Sequence, residues 1–336
     1  MPSRDQHLTK IVGEFSRRRV VVVGDAIADQ FIYGEISRVS REAPVFILRH
    51  ENTETTPGGA GNCAANLAAL GAQVSLISVV GDDEPGRSLL EKLRAAGVNC
   101  DRVFVSSEHR TTRKVRVLAG QIHSTRQQVI RIDYDCEPEL SAVLRDELRA
   151  AVQELIADAD AVIISDYNYG VAEPSFCEVL REAVRGRGLP VIVDSRFRLS
   201  SFTGFTSATP NEDEVAQLLH EEPRDLNALA SAAEQLRKQL GYQALLVTRG
   251  SEGMLLFEEG NGQLHIDAVG SRQPVDVTGA GDTVIATYAL AIASGASFAD
   301  AARLANFAGG IVVMKRGTAT VSAKELLSSI TQVTSE

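Results

Sequence analysis

The segment "PVDVTGAGDTVIATYALAIASG", residues 274–295, places one carboxylate, Asp282, behind three residues with almost no side chain, Gly279, Ala280 and Gly281, at the mouth of an apolar run. Small residues at a helix start let backbone N–H groups converge on an anion, and the aligned peptide dipoles favour negative charge there. A migrating phosphoryl group is such an anion. Asp282 is itself too negative to bind phosphate, but it can accept a proton from an incoming hydroxyl and orient that nucleophile. An alcohol's pKa lies roughly ten units above a carboxylate's, so proton transfer accompanies attack, and positioning with charge stabilisation supplies most of the rate. The competing use of the same residues is an acid that only complements the helix dipole.

Two further segments carry residues suited to chemistry. In "TPGGAGNCAANLAALGA", residues 56–72, a glycine pair opens a helix and permits close backbone approach, and Asn62 at its entrance can donate to a ligand hydroxyl. Helix capping and tight helix-to-sheet packing use the same residues. Gly59, Gly61 and Ala64 also fit the GxGxxG/A dinucleotide fingerprint, which needs a buried strand before it; "HENTETTP" is polar and ends in proline, which argues against a nicotinamide cofactor. In "TPNEDE", residues 209–214, Asn211 and Glu214 stand three apart, on one face if a helix begins there. Glu214 could then hold Mg²⁺ through waters, since that ion keeps much of its hydration shell; capping explains the pattern equally well. The chain has no GxxxxGK[ST] loop, GxSxG elbow or HExxH, and its six histidines form no ligand-spaced cluster, so histidine-based catalysis and zinc are poor candidates.

These side chains need elements that bring them to one edge. Short β-branched runs alternate with amphipathic helical stretches, a pattern that predicts βα units, a mostly parallel sheet and helices on both faces. The predicted buried strands are residues 19–25, 74–83, 160–166, 189–195 and 244–250, and each ends in a polar residue or glycine where the ligand crevice of an open α/β sheet lies. Leu140, Val143, Leu144, Leu148, Val152 and Leu155 predict one core-facing helix stripe and Leu226, Leu229, Ala233 and Leu236 another; Met314, Phe298 and Phe307 are expected to pack in the core. Two charged segments, about 31–57 and 102–133, break the alternation and predict a small β lid over the crevice, within one domain spanning residues 1–336. Such a lid excludes water, which competes as a nucleophile, and its open strand edges suit a homodimer.

The formal charge of −10 with scattered basic residues argues against a nucleic-acid partner. Cys63, Cys100, Cys136 and Cys177 lie far apart with no CxxC pair, which fits isolated thiols in the cytoplasm, and neither a signal peptide core nor a membrane-length apolar run is present.

"PGGAGNCAANLAALGA", "TPNEDE" and "DVTGAGDT", in this order and spacing, resemble the ribokinase-like (PfkB) family of sugar kinases, with the likeness running from about residue 19 to 325. "VVVVGDAIADQFIYGEISRVSREAPVFI" and "TTRKVRVLAG" with "QQVIRID" look most like the D-glycero-D-manno-heptose-7-phosphate kinases, which make precursors of lipopolysaccharide heptose. The resemblance implies a three-layer α/β/α sandwich with a small β-sheet lid, and ATP and Mg²⁺ as cosubstrate and cofactor. It implies Asp282 as catalytic base and Gly279, Ala280 and Gly281 as the anion hole; Asp29, Gly58, Gly59 and Asn62 on sugar hydroxyls; and Asn211 and Glu214 on phosphates and Mg²⁺. Thr248, Gly250, Gly253 and Asn306 would line the nucleotide pocket, and Asp276 and Thr278 would hold a monovalent cation such as K⁺. A phosphate on the acceptor needs cations, for which Arg38, Arg41, Lys114, Arg116 and Arg131 are the candidates, while Asp166 and Asp194 fall at acceptor-side positions. Relatives usually carry lysines in "DYGKG" and "DPKG"; this chain reads "DYNYG" (166–170) and "DSRFR" (194–198), which leaves Arg196 or Arg198 to replace one charge. No HxGH-type nucleotidyltransferase motif is present, so one reaction is expected. A kinase for ribose, fructose or a nucleoside, and a non-catalytic sugar-binding regulator, remain the alternatives.

Overall fold

Four successive valines, Val20–Val23, cannot hide on one face of a strand, so β1 (Arg19–Gly24) must be covered on both. Val20 and Val22 enter one core and Val21 and Val23 the other. The first core is closed by α1 (Arg4–Gly13), α2 (Ala60–Ala69), α3 (Glu84–Ala95), α8 (Ala280–Ala293), α9 (Phe298–Val312) and α10 (Ala323–Val333). The second is closed by α4 (Ala142–Leu155), α5 (Cys177–Arg187), α6 (Glu212–Leu219) and α7 (Leu226–Leu240). Helices therefore sandwich the sheet, as expected. The computed structural model describes residues 4–120, 126–136, 139–173, 176–219, 223–271 and 273–333.

Beside β1 lie β4 (Gln73–Gly81) and β8 (Ala161–Asp166), followed outward by β5 (Asn99–Ser106) on one side and by β9 (Val191–Ser195), β10 (Ser207–Ala208) and β11 (Ala244–Thr248) on the other, all parallel. An antiparallel pair, β12 (Met254–Glu258) and β13 (Gly262–Ile266), completes the order β13-β12-β11-β10-β9-β8-β1-β4-β5. The second sheet is the lid: a long hairpin of β2 (Ala26–Val39) and β3 (Phe46–Gly59), then β6 (Arg113–Gly120) parallel to β2 and β7 (Gln127–Tyr134) antiparallel to β6.

Several expectations need correction. Residues 102–106 belong to β5 in the main sheet, where Cys100 and Val103 reach the core; residues 121–125 of that predicted lid segment lie outside the described residues. Val143 and Leu226 are exposed because each sits in the first turn of its helix, before the stripe meets the sheet. Met314 is exposed because α9 has already ended at Val312. All four cysteines are free thiols.

Register sets what the lid shows the crevice. Directly paired residues share a face. Asp29 pairs with Lys114, Phe31 with Arg116, Arg116 with Arg131 and Lys114 with Asp133, so these charged side chains line one side of the lid.

Candidate active site

The chain enters α8 through Gly279, whose φ of +75° suits glycine, and a Cβ there would stand 2.4 Å from Asn62 Nδ2. That close approach places Asn62, at the start of α2, against the start of α8. Asn62 Nδ2 donates to Asp282 Oδ2 at 2.8 Å and to the Gly279 carbonyl at 3.3 Å. The Tyr167 hydroxyl donates to the other oxygen, Oδ1, at 3.0 Å. Asp282 is buried, and burial pushes its carboxyl up to about 7; the bonds from Asn62 and Tyr167 oppose that rise, Asp29 adds to it and Lys114 counters it. A carboxylate poised there can take a proton near neutral pH. Of the predicted anion-hole donors, the Ala280 N–H already donates to the Val277 carbonyl at 3.2 Å, because the helix opens with a turn. The N–H groups of Gly279 and Gly281 take no protein acceptor among the described residues and remain available to an anion.

Tyr167 is positioned by a residue that no sequence motif marks. Asp25, at the carboxyl end of β1, accepts the backbone N–H groups of Tyr167 (2.8 Å), Tyr169 (3.1 Å) and Val171 (3.0 Å), which fixes the loop after β8. Burial nevertheless holds Asp25 at about 6. Within that loop Asn168 has φ +65°, a left-handed conformation that asparagine tolerates better than most side chains.

Asp166, expected on the acceptor side, is bonded within the protein. Its buried carboxylate receives Ser195 Oγ at 2.7 Å, Arg198 Nε at 3.2 Å and Arg198 Nη2 at 2.5 Å, so Arg198 is committed to a structural pair. Arg198→Leu strands a buried carboxylate and is expected to destabilise the fold by about 3–5 kcal/mol. The check is the urea midpoint; an unchanged midpoint would show that the pair contributes nothing.

On the lid side, Asp29 is buried and Arg116 Nη1 donates to its Oδ1 at 2.5 Å. Burial raises the Asp29 carboxyl while Arg116 opposes the shift. Gly58 is needed here: a Cβ would stand 2.4 Å from Asp29 Oδ2. Gly59 takes φ +55° where the chain turns into α2. Lys114 is buried with its ammonium 5.1 Å from the Tyr167 ring centre, and it makes no hydrogen bond or ion pair among the described residues. Burial lowers its pKa, Asp29 opposes that, and nearby Arg131 and Arg196 lower it further. Arg131 is paired with Asp133 through two bonds of 2.7 and 2.6 Å. Arg38 and Arg41 do not join this group: they are exposed at the far end of the β2–β3 hairpin, with Arg38 roughly 30 Å along the strand from Asp29. Arg196, proposed above only as a replacement charge, is the basic side chain that the body of the protein brings to Lys114.

Asn211 and Glu214 form a reciprocal cap at the start of α6: Glu214 Oε2 accepts the Asn211 N–H at 2.9 Å and Asn211 Oδ1 accepts the Glu214 N–H at 2.8 Å. The capping reading therefore holds, yet Glu214 also lies beside Asp194. Burial, then Glu214 and Asp282, hold the Asp194 carboxyl well above its usual range, and burial raises Glu214 too. Asp194, expected on the acceptor side, could beside Glu214 also share a divalent cation, which would relieve the repulsion between the two carboxyls. Glu214 could hold Mg²⁺ through water, and bound Mg²⁺ would offset charge on the polyphosphate.

Thr248, Gly250, Gly253 and Asn306 meet in a cavity of about 190 Å³ whose wall includes Ala280, Gly281, Val269 and Val284. Its apolar walls suit a nucleotide base, and its floor is the α8 entrance. Asn306 is held there by donating to the Asp267 carbonyl at 2.7 Å. Asp276 accepts the N–H of Thr278 and of Gly317, each at 2.9 Å. Burial works against these bonds, but they hold its carboxyl below the usual range.

A base cavity, an open pair of N–H groups, a buried carboxylate and a cation-lined lid in succession describe an enzyme that moves a phosphoryl group onto a hydroxyl. A model of the pfkB family of carbohydrate kinases matches residues 17–325, and the chain belongs to that family. The D-beta-D-heptose 7-phosphate kinase of Bordetella bronchiseptica is 44% identical over 94% of this chain and 97% of that protein. The bifunctional protein HldE of Desulfatibacillum aliphaticivorans is 42% identical over 95% of this chain, which spans 64% of that longer protein. Among solved structures, Arabidopsis thaliana ribokinase complexed with ribose and ATP is 25% identical with a TM-score of 0.73, covering 93% of this chain and 98% of that one. Phosphofructokinase-2 from Escherichia coli, in its tetrameric inhibited form, shares the fold with a TM-score of 0.76 at 19% identity, covering 94% and 99%. No helix among the described residues is long and apolar enough to cross a membrane.

Proposed function

We propose that the chain transfers the γ-phosphoryl group of ATP to a hydroxyl of a sugar phosphate, with D-glycero-D-manno-heptose 7-phosphate as acceptor and its C1 hydroxyl as nucleophile. The observation that carries this reading is the placement of Asp282, buried between the nucleotide cavity and the lid and adjoining unpaired N–H groups of its own helix entrance. The acceptor hydroxyl approaches Asp282, Asp29 holds a neighbouring hydroxyl, and the carboxylate receives the proton as the bond to phosphorus forms. The Gly279 and Gly281 N–H groups meet charge on the migrating group. Lys114, with Arg131 and Arg196 near it, receives the phosphate that the acceptor already carries, a cost in buried charge that an unphosphorylated sugar would not offset. The similarity to a heptose 7-phosphate kinase supports this choice.

Coupled measurement of ADP release across ribose, fructose, nucleosides and their phosphates, beside the heptose phosphate, tests the reading. The heptose phosphate is expected to give the highest kcat/KM; preference for an unphosphorylated sugar would move the assignment within the family, and binding without ADP release would make the chain a sensor. Turnover at saturating substrates is expected to drop about tenfold per unit below pH 7, because a group titrating at about 7 must be ionised to accept the proton. A profile flat from pH 5 to 8 would exclude that role for Asp282.

Two finer features belong to the same proposal. Ile130, Ile132 and Tyr134 are exposed on β7, and a second copy covering the outer face of the lid would make a homodimer; sedimentation showing a fully active monomer would remove this. A monovalent cation at the Asp276–Thr278 turn would steady the α8 entrance, and equal turnover in K⁺ and in a large organic cation would remove that.

A further inference from the structure

Asn66 lies one helical turn beyond Asn62 on α2, is fully buried, and takes no part in the transfer described above. Its amide is oriented from its far side. The backbone N–H of Val321 can only donate, and it reaches Asn66 Oδ1 at 3.2 Å, joined there by the Thr283 hydroxyl at 3.1 Å. Asn66 must therefore turn its NH₂ group toward Asn62, where Nδ2 donates to the backbone carbonyl at 3.0 Å and to the side-chain Oδ1 at 3.2 Å. With its oxygen claimed, Asn62 presents its own NH₂ to Asp282 Oδ2. The Val321 N–H thus sets the polarity of the Asn66 amide, and Asn66, together with the Gly279 carbonyl that accepts from Asn62 Nδ2 at 3.3 Å, sets that of the Asn62 amide facing the base.

We propose that Asn66 is a positioning residue that locks the Asn62 amide with its N–H side toward Asp282. The consequence is chemical. An unlocked amide can rotate by half a turn when Asp282 takes a proton and accept the new O–H through Oδ1, which stabilises the protonated acid. The lock blocks that rotation and favours the ionised base. The other titratable or charged groups around Asp282 are Cys63 on α2, Asp29 on β2, Lys114 on β6, Tyr167 after β8 and Asp194 on β9, and the Asn66 side chain is bonded to Asn62, Thr283 and Val321 instead.

The test follows the Asp282 carboxyl directly by carbon NMR in protein labelled at aspartate Cγ, with Asp282→Asn supplying the assignment. In Asn66→Leu the titration midpoint is expected to rise by about one pH unit, the size of one hydrogen bond to a charged group. With ATP and the heptose phosphate, kcat at pH 6 should then fall about tenfold while kcat at pH 9 stays near the parent value, and the KM for ATP should not change. Asn66→Ala removes the same amide without adding a charge or overfilling the site, so it is expected to show the same rise and decides the matter if the leucine variant does not fold. An unmoved midpoint, or a loss of kcat equal at all pH values, overturns the proposal. The kinetic readout rests on the kinase reading and the titration does not: a shifted midpoint in a chain whose parent phosphorylates nothing would sink that reading and leave the amide lock standing.

Discussion

Asp282→Asn is expected to lower kcat by about 10³-fold, the middle of the range for loss of a general base, while ATP binding stays within about twofold of the parent. The substitution preserves size, and the introduced amide can still accept the Tyr167 hydroxyl through its carbonyl. It cannot take a proton, and its NH₂ would face the NH₂ of Asn62, so the hydroxyl nucleophile is neither activated nor well oriented. Asp282 itself does not line the base cavity, whose walls include Thr248, Gly253 and Asn306. Coupled ADP release and calorimetric titration with ATP separate the two effects. A loss below tenfold would leave Asp282 as an acid that only complements the dipole of α8.

The second large effect concerns specificity. Lys114→Met is expected to raise KM for the phosphorylated acceptor by about 10²-fold, the scale set by removing one partner of a desolvated charge pair, with little change for an unphosphorylated sugar. The reason is that Lys114 is a buried cation that Asp29 influences but no carboxylate among the described residues pairs directly, a costly arrangement unless a ligand supplies the anion. Because Lys114 also lowers the Asp282 carboxyl, the comparison belongs at pH 8.5, where loss of that influence does not leave the base protonated. Equal changes for both kinds of acceptor would mean that Lys114 supports the site without reading the phosphate.

The parts of this site that were legible in the sequence are those whose physics is local. Gly279 to Asp282 are consecutive, and the requirement for small residues before an acid at a helix start can be seen without knowing the fold; Thr248, Gly250, Gly253 and Asn306, by contrast, follow only from the family resemblance, since nothing in their spacing marks a nucleotide pocket. The unread parts depend on partners far along the chain. Asp25 and Tyr167 are 142 residues apart, and Asn66 and Val321 are 255 apart, so nothing near any of them marks the pairing. Arg198 looked like a spare cation until the fold placed it on Asp166. Arg38 and Arg41 failed for a different reason: alternation tells which face of a strand a residue occupies but not which end of a long hairpin reaches the crevice. Residues 102–106 resemble a lid strand because charge and β-branching are shared by an edge strand of the main sheet, and only pairing with β4 decides between them.

Phosphorus NMR of the chain incubated with ATP and D-glycero-D-manno-heptose 7-phosphate tests the central claim most directly. The account predicts a new sugar-phosphate resonance coupled to the anomeric proton, appearing in step with ADP and absent when Asp282→Asn replaces the parent. ADP formed with only inorganic phosphate as its companion, or the same sugar resonance growing at the parent rate in Asp282→Asn, would contradict it.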